Sequence, residues 1–354
     1  MKKIGILGAS SQVGSSVALF LKDIPGIHVT CFIRSSYSAI FFELFGIEHQ
    51  QLHKDKDDRF REQIGAMDVI LDFGYPTGQI HEILQRGKDT VRVVMGCMKK
   101  GSAYFYMSSI MAYGMPENGK WIRHYRFPRT SYAYIKRSIE TFTSREGRRQ
   151  GIRVYNFRLS QVHGFLQSVN GSFRKKLTES PIAMIDGKPD DPVNIIFIHP
   201  LCEAIVQCAE GVYPPGLYTL VANPQWTLKQ LYQYYLDYYG LPAQLSFLPA
   251  ETPRRRSLFQ TAIDWFRPYR SLIETFVLMR LPGLAVKVKG RFRKAEMVGS
   301  LGSALKDIPY IDYNLLGTPP LRMLSGPSAG LEQVFPMEKK TEEQYNAALA
   351  VRRQ

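Results

Sequence analysis

The 354-residue sequence contains few cysteines, and none of them shows the spacing of a metal site. His49 and His53 stand at helical spacing in a polar stretch, but no further ligand type accompanies them. The sequence therefore predicts no metal centre, and it predicts buried thiols in a reducing compartment. The four cysteines fall in predicted strands and helices: Cys31, Cys97, Cys202 and Cys208.

Long hydrophobic runs are also missing. No stretch reaches the roughly 18 apolar residues with which a helix spans a bilayer. The apolar run at the start of the chain ends at Ser10, too early for the hydrophobic region of a secretory signal. We therefore expect this run to form a first strand, and we expect the protein to lie in the cytoplasm.

Acidic residues are scarce, with 31 Asp and Glu against 46 Lys and Arg and a formal net charge of +15. In residues 253–297, 11 basic residues against 3 acidic ones leave +8. Within 254–281, apolar residues recur at helical spacing from Leu258 to Leu281, interrupted by Pro268 and flanked by arginines. This basic amphipathic segment predicts a core-facing helix, a peripheral contact at the inner face of an anionic membrane, or a wall for a lipid-linked substrate. No nucleic-acid-binding module accompanies the charge, so we expect no nucleic-acid partner.

Apolar strand-like runs alternate with helical stretches, which predicts an α/β fold with a doubly wound parallel (Rossmann) sheet. The predicted strands are 4–7, 28–33, 69–73, 103–107, 153–158, 194–198 and 217–221. The predicted helices are 15–22, 77–84, 90–99, 132–146 and 201–210, with a polar last helix after 336. We assign 1–165 and 194–222 to the dinucleotide-binding domain, and 166–193 and 223–354 to a smaller, mostly C-terminal substrate-binding lobe.

A glycine turn follows the first predicted strand. Gly8 and Gly14 fit the first and last positions of a G-x-x-G-x-x-G pattern, and Ser11 takes the middle one. Missing side chains let backbone N–H groups approach a pyrophosphate at a helix N-terminus, while a serine at the middle position requires φ below zero. The predicted dinucleotide contacts are Gly8, Ser10, Ser11, Gln12, Val13, Gly14 and Phe73.

The end of the second predicted strand lacks an acid. An acidic residue there would bond the ribose hydroxyl of NAD, whereas an arginine would accept the 2′-phosphate of NADP. Residues 29–38 contain no Asp or Glu, and Arg34 with Ser35 stands where that phosphate would lie. This arrangement predicts NADP as the cofactor, in preference to NAD.

Tyr132 and Lys136 stand four residues apart in a stretch, 131–147, that we predict to be helical. This spacing puts the phenol and the ammonium on one face of the helix, where the cation favours the phenolate. A tyrosine, whose ordinary pKa is about 10, then becomes usable as an acid or base at neutral pH. The pair is therefore a candidate for proton transfer.

With these features in this order, the sequence resembles the extended short-chain dehydrogenase/reductase family, which includes nucleotide-sugar epimerases, dehydratases and reductases. The resemblance covers residues 1 to about 240. Its carriers are the glycine turn, residues 68–73, the serine turn that ends at Tyr113 and Gly114, the Tyr132/Lys136 pair, and residues 156–164.

The resemblance implies roles for the catalytic residues. Tyr132 exchanges the proton on the substrate oxygen while a hydride passes to or from the nicotinamide, and Lys136 also holds the nicotinamide ribose. Alignment on the serine turn places Ser109 as the second donor to the substrate oxygen, with Ser108 behind it. The family likeness also implies a homodimer through the helix that contains Tyr132 and the helical stretch 77–99.

The chain departs from the family pattern in three places. Dehydratases of the family carry an Asp-Glu pair after the serine position, but this chain has Ile110 and Met111, so elimination is disfavoured while epimerase and reductase remain. Residues 80–100 lack the asparagine that the family commonly has. The run 118–129 is basic and forms either a solvated loop or a site for an anionic substrate. Its arginines are Arg123, Arg126 and Arg129.

These features predict an NADP-dependent oxidoreductase or epimerase. Its substrate would be a sugar on a phosphate-bearing carrier, such as a nucleotide sugar, in polysaccharide or glycoconjugate synthesis. A carbonyl reductase for a lipid or polyketide is the alternative if the segment 254–281 lines the pocket. A non-catalytic NADP-binding sensor is a second alternative, which the intact Tyr132/Lys136 pair disfavours.

Overall fold

The computed structural model describes residues 1–51, 58–113, 131–222, 225–248 and 331–351. Its strands are β1 (Lys2–Leu7), β2 (Ile27–Ile33), β3 (Glu48–Gln51), β4 (Val69–Asp72), β5 (Ala103–Ser109), β6 (Arg153–Leu159), β7 (Gln161–His163), β8 (Ile182–Asp186), β9 (Ile195–Phe197), β10 (Gly216–Leu220) and β11 (Gln244–Leu248). Its helices are α1 (Gln12–Leu21), α2 (Ala39–Leu44), α3 (Asp58–Gly65), α4 (Ile80–Cys97), α5 (Ser131–Gln150), α6 (Ser168–Thr178), α7 (Ile198–Glu210), α8 (Leu228–Tyr239) and α9 (Leu331–Val351).

A seven-stranded sheet with the spatial order β10, β6, β5, β4, β1, β2, β3 forms the centre of the fold. All of its neighbouring strands pair in parallel. The order reverses between β1 and β4, and in sheets of this kind ligands bind in the crevice beyond the carboxyl ends of the strands at that point. The predicted doubly wound Rossmann sheet is therefore confirmed.

The central strands are apolar because helices cover the sheet on both faces. One cluster of buried side chains joins the sheet to α1 and α7, and a second joins its other face to α3, α4 and α5. β1 shows the alternation between the two clusters, since Ile4 and Ile6 lie in the first while Leu7 packs against the second. The sheet is thus held rigidly from both sides, which fixes the positions of its carboxyl ends.

A smaller core lies beyond the sheet. β8 and β11 pair in parallel, and aromatic residues of α8 pack with Phe173 from α6 and with Trp226. Within it, the buried His163 ring contacts the Tyr235 hydroxyl through Nδ1 at 2.5 Å, and burial lowers the pKa of His163 to about 3. The division of the chain into a dinucleotide-binding domain and a substrate lobe stays a prediction.

The structure differs from the expected elements in three places. The strand predicted at 194–198 is present as β9, but it pairs with β7 and lies outside the central sheet. The two predicted helices 77–84 and 90–99 are one helix, α4, in which Gly87 packs closely on Ile139 and does not break the helix. His49 lies on the edge strand β3 and not on a helix, and His53 falls outside the described residues.

The four cysteines are all free thiols. Cys31, Cys202 and Cys208 are buried free thiols, and burial raises the pKa of each, while Cys97 is half-buried. Within the described ranges, no helix has both the length and the apolarity needed to cross a membrane. The same ranges contain no group of three His, Cys, Asp or Glu side chains arranged to hold a metal ion.

Helix α9 packs across the molecule. Its Tyr345 ring lies 5.4 Å from that of Phe45, which follows α2, and 5.2 Å from that of Phe165, which follows β7. Its Glu338 carboxylate is buried, accepts the Phe165 N–H at 2.6 Å and lies 3.7 Å from His199 Nε2 on α7. The helix is therefore fixed to the elements around β7, α2 and α7 by one buried carboxyl and by two ring contacts of Tyr345.

Burial raises the pKa of Glu338 to about 8, although the Phe165 N–H opposes the shift. The folded state therefore binds this proton more tightly than the unfolded chain, where the pKa is about 4.3. The stability that the Glu338 carboxyl contributes is fully present below about pH 4.3 and is lost as the pH rises through 8. We expect the free energy of unfolding to fall between pH 5 and 9, by at most about 1.4 kcal/mol per pH unit from this group.

Replacement Glu338→Gln should flatten this dependence, because the amide is neutral throughout. The measurement is urea unfolding at a series of pH values, with Glu343→Gln, an exposed position on the same helix, as the matched control. Parallel pH curves for the wild type and Glu338→Gln would contradict the assignment of the dependence to this carboxyl.

Candidate functional site

The glycine turn joins β1 to α1 in a conformation that side chains would prevent. Gly8 has φ +67°, and a Cβ on it would lie 2.8 Å from the backbone of Phe73 and Gly74. A Cβ on Gly14 would lie 2.6 Å from the Gly8 carbonyl oxygen. Both glycines are therefore required for the close approach of β1, α1 and the end of β4.

Ser11, at the middle position of the turn, is the N-cap of α1. Its φ is −74°, as a non-glycine residue there requires, and its Oγ accepts the Gly14 N–H at 3.1 Å. Because that contact uses a lone pair of the oxygen, the hydroxyl hydrogen can still be donated to an anion. Gln12 and Val13 form the first turn of α1, where backbone N–H groups and the helix dipole favour negative charge.

A cleft of about 290 Å³ opens at the crevice between β1 and β4. Five of the predicted dinucleotide contacts line it: Gly8, Ser10, Ser11, Arg34 and Phe73. The other predicted contacts are not part of its lining: Gln12, Val13, Gly14, Ser35, Tyr132 and Lys136. Residues of three helices also line the cleft, which therefore extends between the sheet and these helices. They are Phe60 on α3, Gly87 and Thr90 on α4, and Ile139 on α5. The position of the cleft suits a ligand that lies across the strand ends.

Arg34 follows the last residue of β2 and lines the cleft. Ser35 comes next, and its hydroxyl lies 3.1 Å from that of Ser38. The acid on the neighbouring strand, Glu48, contacts His28 and Thr30 towards the amino half of β2. The end of β2 that faces the cleft is therefore basic and polar.

Lys136 is buried on α5 and is surrounded by aromatic rings. Its Nζ donates to the Met107 carbonyl oxygen at 2.7 Å and lies 5.4, 5.0 and 5.8 Å from the ring centres of Tyr75, Tyr106 and Tyr132. Each ring face attracts the cation, and the attraction grows as water is excluded. The spacing of four residues thus places Tyr132 and Lys136 on one face of α5.

Tyr75 and Tyr106 connect this pair to the cleft, since both of them line it. The Tyr75 ring packs against the Tyr132 ring with 5.3 Å between centres. Burial, reinforced by Tyr132, raises the pKa of Tyr75 to about 12, so its phenol stays protonated at neutral pH. The Tyr132/Lys136 pair therefore adjoins the cleft through its contacts with the Tyr75 and Tyr106 rings.

The two serines at the end of β5 point to different surroundings. The buried Ser108 hydroxyl donates to the Glu140 carboxylate on α5. The half-buried Ser109 Oγ accepts the Met111 N–H at 3.3 Å. Because side chains alternate along a strand, only one of the two can face a ligand from a given side of the sheet. The structure thus engages Ser108 in the interior and leaves Ser109 as the candidate donor.

Sequence reasoning missed two buried ionic features beside these residues. Arg158 on β6 donates to both Glu140 oxygens, at 2.9 and 2.7 Å, and both side chains are buried. Asp72, at the end of β4, lines the cleft and accepts the Tyr104 hydroxyl at 2.5 Å and the Gly74 N–H at 2.8 Å. The available signal was a charged residue inside or at the end of an otherwise apolar strand.

Other predicted site residues lie outside the described part of the chain. They are Arg123, Arg126 and Arg129, together with the basic amphipathic segment 254–281.

Comparison with known proteins agrees with this geometry. Residues 4–196, more than half of the chain, match the family described as the NAD dependent epimerase/dehydratase family. No curated protein matches the sequence.

Several solved structures share the fold at low sequence identity. UDP-glucuronic acid 4-epimerase from Bacillus cereus, in complex with UDP-glucuronic acid and NAD, is 14% identical, with a TM-score of 0.52 over 70% of this chain and 86% of that one. UDP-N-acetylglucosamine 4-epimerase from Methanobrevibacter ruminantium M1, in complex with UDP-N-acetylmuramic acid, is 18% identical, with a TM-score of 0.54 over 78% and 98%. dTDP-glucose 4,6-dehydratase from Bacillus anthracis, in complex with NAD, is 13% identical, with a TM-score of 0.54 over 77% and 94%.

The family match covers the glycine turn, the cleft and the Tyr132/Lys136 pair. The chain therefore belongs to the NAD dependent epimerase/dehydratase family, a branch of the extended short-chain dehydrogenases/reductases.

Proposed function

We propose that this protein is an NADP-dependent oxidoreductase or epimerase that acts on a nucleotide sugar, with Tyr132 as the proton-transferring residue. The observation that carries the proposal is the buried Lys136 ammonium, held by the Met107 carbonyl beside the Tyr132 ring next to the cleft. The similar solved structures hold UDP-sugars or NAD, which supports this class of substrate.

The cleft suits a pyridine dinucleotide because Gly8 and Gly14 allow the tight turn that brings the N-terminus of α1, with its backbone N–H groups, to the strand ends. Gly8, Ser10, Ser11 and Arg34 would hold the phosphates, and Phe73 would lie along the ligand. When bound, the dinucleotide supplies or accepts a hydride. The family's chemistry then requires the chain to move one proton and to stabilise charge on one substrate oxygen.

Tyr132 would exchange that proton at its phenol oxygen. Lys136 would favour the phenolate through its positive charge, which the surrounding rings keep close to Tyr132. Ser109 would donate a second hydrogen bond to the substrate oxygen, since its contact with the Met111 N–H leaves its own hydrogen available. Ile110 and Met111 follow Ser109, and neither can move a proton, so elimination is disfavoured.

A screen of the purified full-length protein tests this function. UDP-glucuronic acid, UDP-N-acetylglucosamine and a long-chain ketone would be offered with NADPH or NADH while the reduced cofactor and the product masses are followed. An isomeric sugar without net NADPH loss would identify an epimerase, and sustained NADPH loss with a nucleotide sugar would identify a reductase. Turnover of the ketone alone, or cofactor binding without any turnover, would contradict the proposal.

The choice of NADP is supported by Arg34, which lines the cleft at the end of a strand that offers no acid. A charged hydrogen bond to the 2′-phosphate predicts that Arg34→Ala weakens NADPH binding by about 10- to 100-fold while NADH binding changes little. Fluorescence titration of the reduced cofactor measures both, and Arg148→Ala, an exposed position on α5, is the control. Equal losses for the two cofactors would contradict the role of Arg34.

Three further parts of the proposal rest on sequence alone. We keep the homodimer through α4 and α5 as a prediction, which sedimentation velocity measures directly. We also keep the cytoplasmic location as a prediction, together with the peripheral membrane contact through 254–281. Co-sedimentation with anionic vesicles would test that contact.

A further inference from the structure

The Tyr106 hydroxyl belongs to a buried side chain that lines the cleft. Tyr106 lies on β5 and is 2% exposed, and its hydroxyl has no hydrogen-bond partner among the described residues. A buried polar group without a partner destabilises a protein, and nearly all such groups in native proteins are paired. The neighbouring tyrosine of the same strand, Tyr104, is paired, because its hydroxyl donates to Asp72 at 2.5 Å. Among the described residues several buried side-chain atoms lack a partner, and Tyr106 is the one of them that lines the cleft.

The surroundings of this hydroxyl point to a ligand. Tyr106 lines the cleft, and Asp72, its partner in the β4–β5 register, lines it too. The Tyr106 ring lies 5.0 Å from Lys136 Nζ, so the residue adjoins the proposed proton-transfer pair. Burial first, then Asp72 and Tyr132, raises the pKa of Tyr106 well above its ordinary value, which keeps the phenol protonated and able to donate.

The position across the sheet identifies which half of the ligand is involved. Three strand spacings separate β5 from β2, which amounts to about 14 Å. Arg34 at the end of β2 would mark the adenosine end of the dinucleotide, so Tyr106 would lie at the nicotinamide end. We propose that the Tyr106 hydroxyl is a cofactor-positioning group that gains its hydrogen-bond partner when the nicotinamide half of NADP enters the cleft. This inference rests on the proposed function.

Replacement Tyr106→Phe removes only the oxygen. In the free protein, we expect the Tm of this variant to equal or exceed that of the wild type, because an unpaired hydroxyl is lost. The control is Tyr155→Phe, since the Tyr155 hydroxyl donates to the Tyr213 carbonyl at 3.0 Å. That variant should lose about 2–4 °C in Tm and keep its affinity for NADPH.

Binding is measured with two probes on the full chain. Tyr106→Phe should weaken NADPH binding by about tenfold while leaving the affinity for adenosine 2′,5′-bisphosphate, which lacks the nicotinamide half, unchanged. Unchanged NADPH affinity, an equal loss for both probes, or a fall in Tm like that of Tyr155→Phe would each overturn the inference. If the wild type binds neither probe, the proposed function itself fails, and the two failures are distinguishable.

Discussion

Replacement Tyr132→Phe is expected to lower kcat by about 100- to 10,000-fold with the nucleotide sugar that the wild type turns over. The substitution removes the only group in the proposed mechanism that exchanges the proton on the substrate oxygen. The Phe ring keeps the packing against Tyr75 and the cation contact with Lys136, so the site should keep its shape. Steady-state rates with the purified variant measure the effect.

Two measurements separate loss of chemistry from loss of structure. NADPH affinity should change by less than about threefold in Tyr132→Phe, because in the proposed mechanism the phenol oxygen acts on the substrate and not on the cofactor. Tyr134→Phe is the matched control, since it stands two residues further along the same helix and packs on the cluster beneath the sheet. Activity in Tyr132→Phe above one-tenth of the control would refute the acid/base assignment.

Replacement Arg158→Met is expected to destabilise the fold by about 3–5 kcal/mol. Arg158 donates two hydrogen bonds to Glu140, and each of the two side chains is 6% exposed. Without the guanidinium, the buried Glu140 carboxylate loses its ion-pair partner and both hydrogen bonds from Arg158. It keeps the hydrogen bond from the Ser108 hydroxyl. Urea unfolding of the variant and the wild type measures the difference.

The double variant Arg158→Met/Glu140→Gln tests the physical cause. The neutral amide still accepts the Ser108 hydroxyl and carries no charge, so this variant should recover at least half of the lost stability. Lys175→Ala, at an exposed ion pair with Glu179, should change stability by less than about 1 kcal/mol. A double variant no more stable than Arg158→Met would show that the uncompensated charge is not the cause.

Features set by neighbours in sequence were predictable. The glycine turn was found because Gly8 and Gly14 must clear the backbone within a few residues, and a Tyr/Lys pair four apart shares a face on any helix. The alternation of apolar strands and helices likewise predicted the parallel sheet. Each of these follows from spacing rules that need no knowledge of distant contacts.

Features that depend on distant contacts were not predictable. Residues 85–89 were left out of the two predicted helical stretches, yet α4 runs through them, and the missing side chain of Gly87 makes room for Ile139 on α5. The polar strand β3 pairs with β2 at the edge of the described sheet, so it shows no buried alternation. The roles of Glu140, Arg158 and Asp72 arise only once β4, β5, β6 and α5 are assembled.

Ser11 has one further consequence for binding. Because its hydroxyl already caps α1 and the two glycines fit their neighbours closely, the turn is held in shape by the protein alone. A ligand that arrives there finds the N–H groups preorganised and loses little affinity to ordering the chain. Recognition of the pyrophosphate at this loop would thus follow a lock-and-key fit more than an induced one.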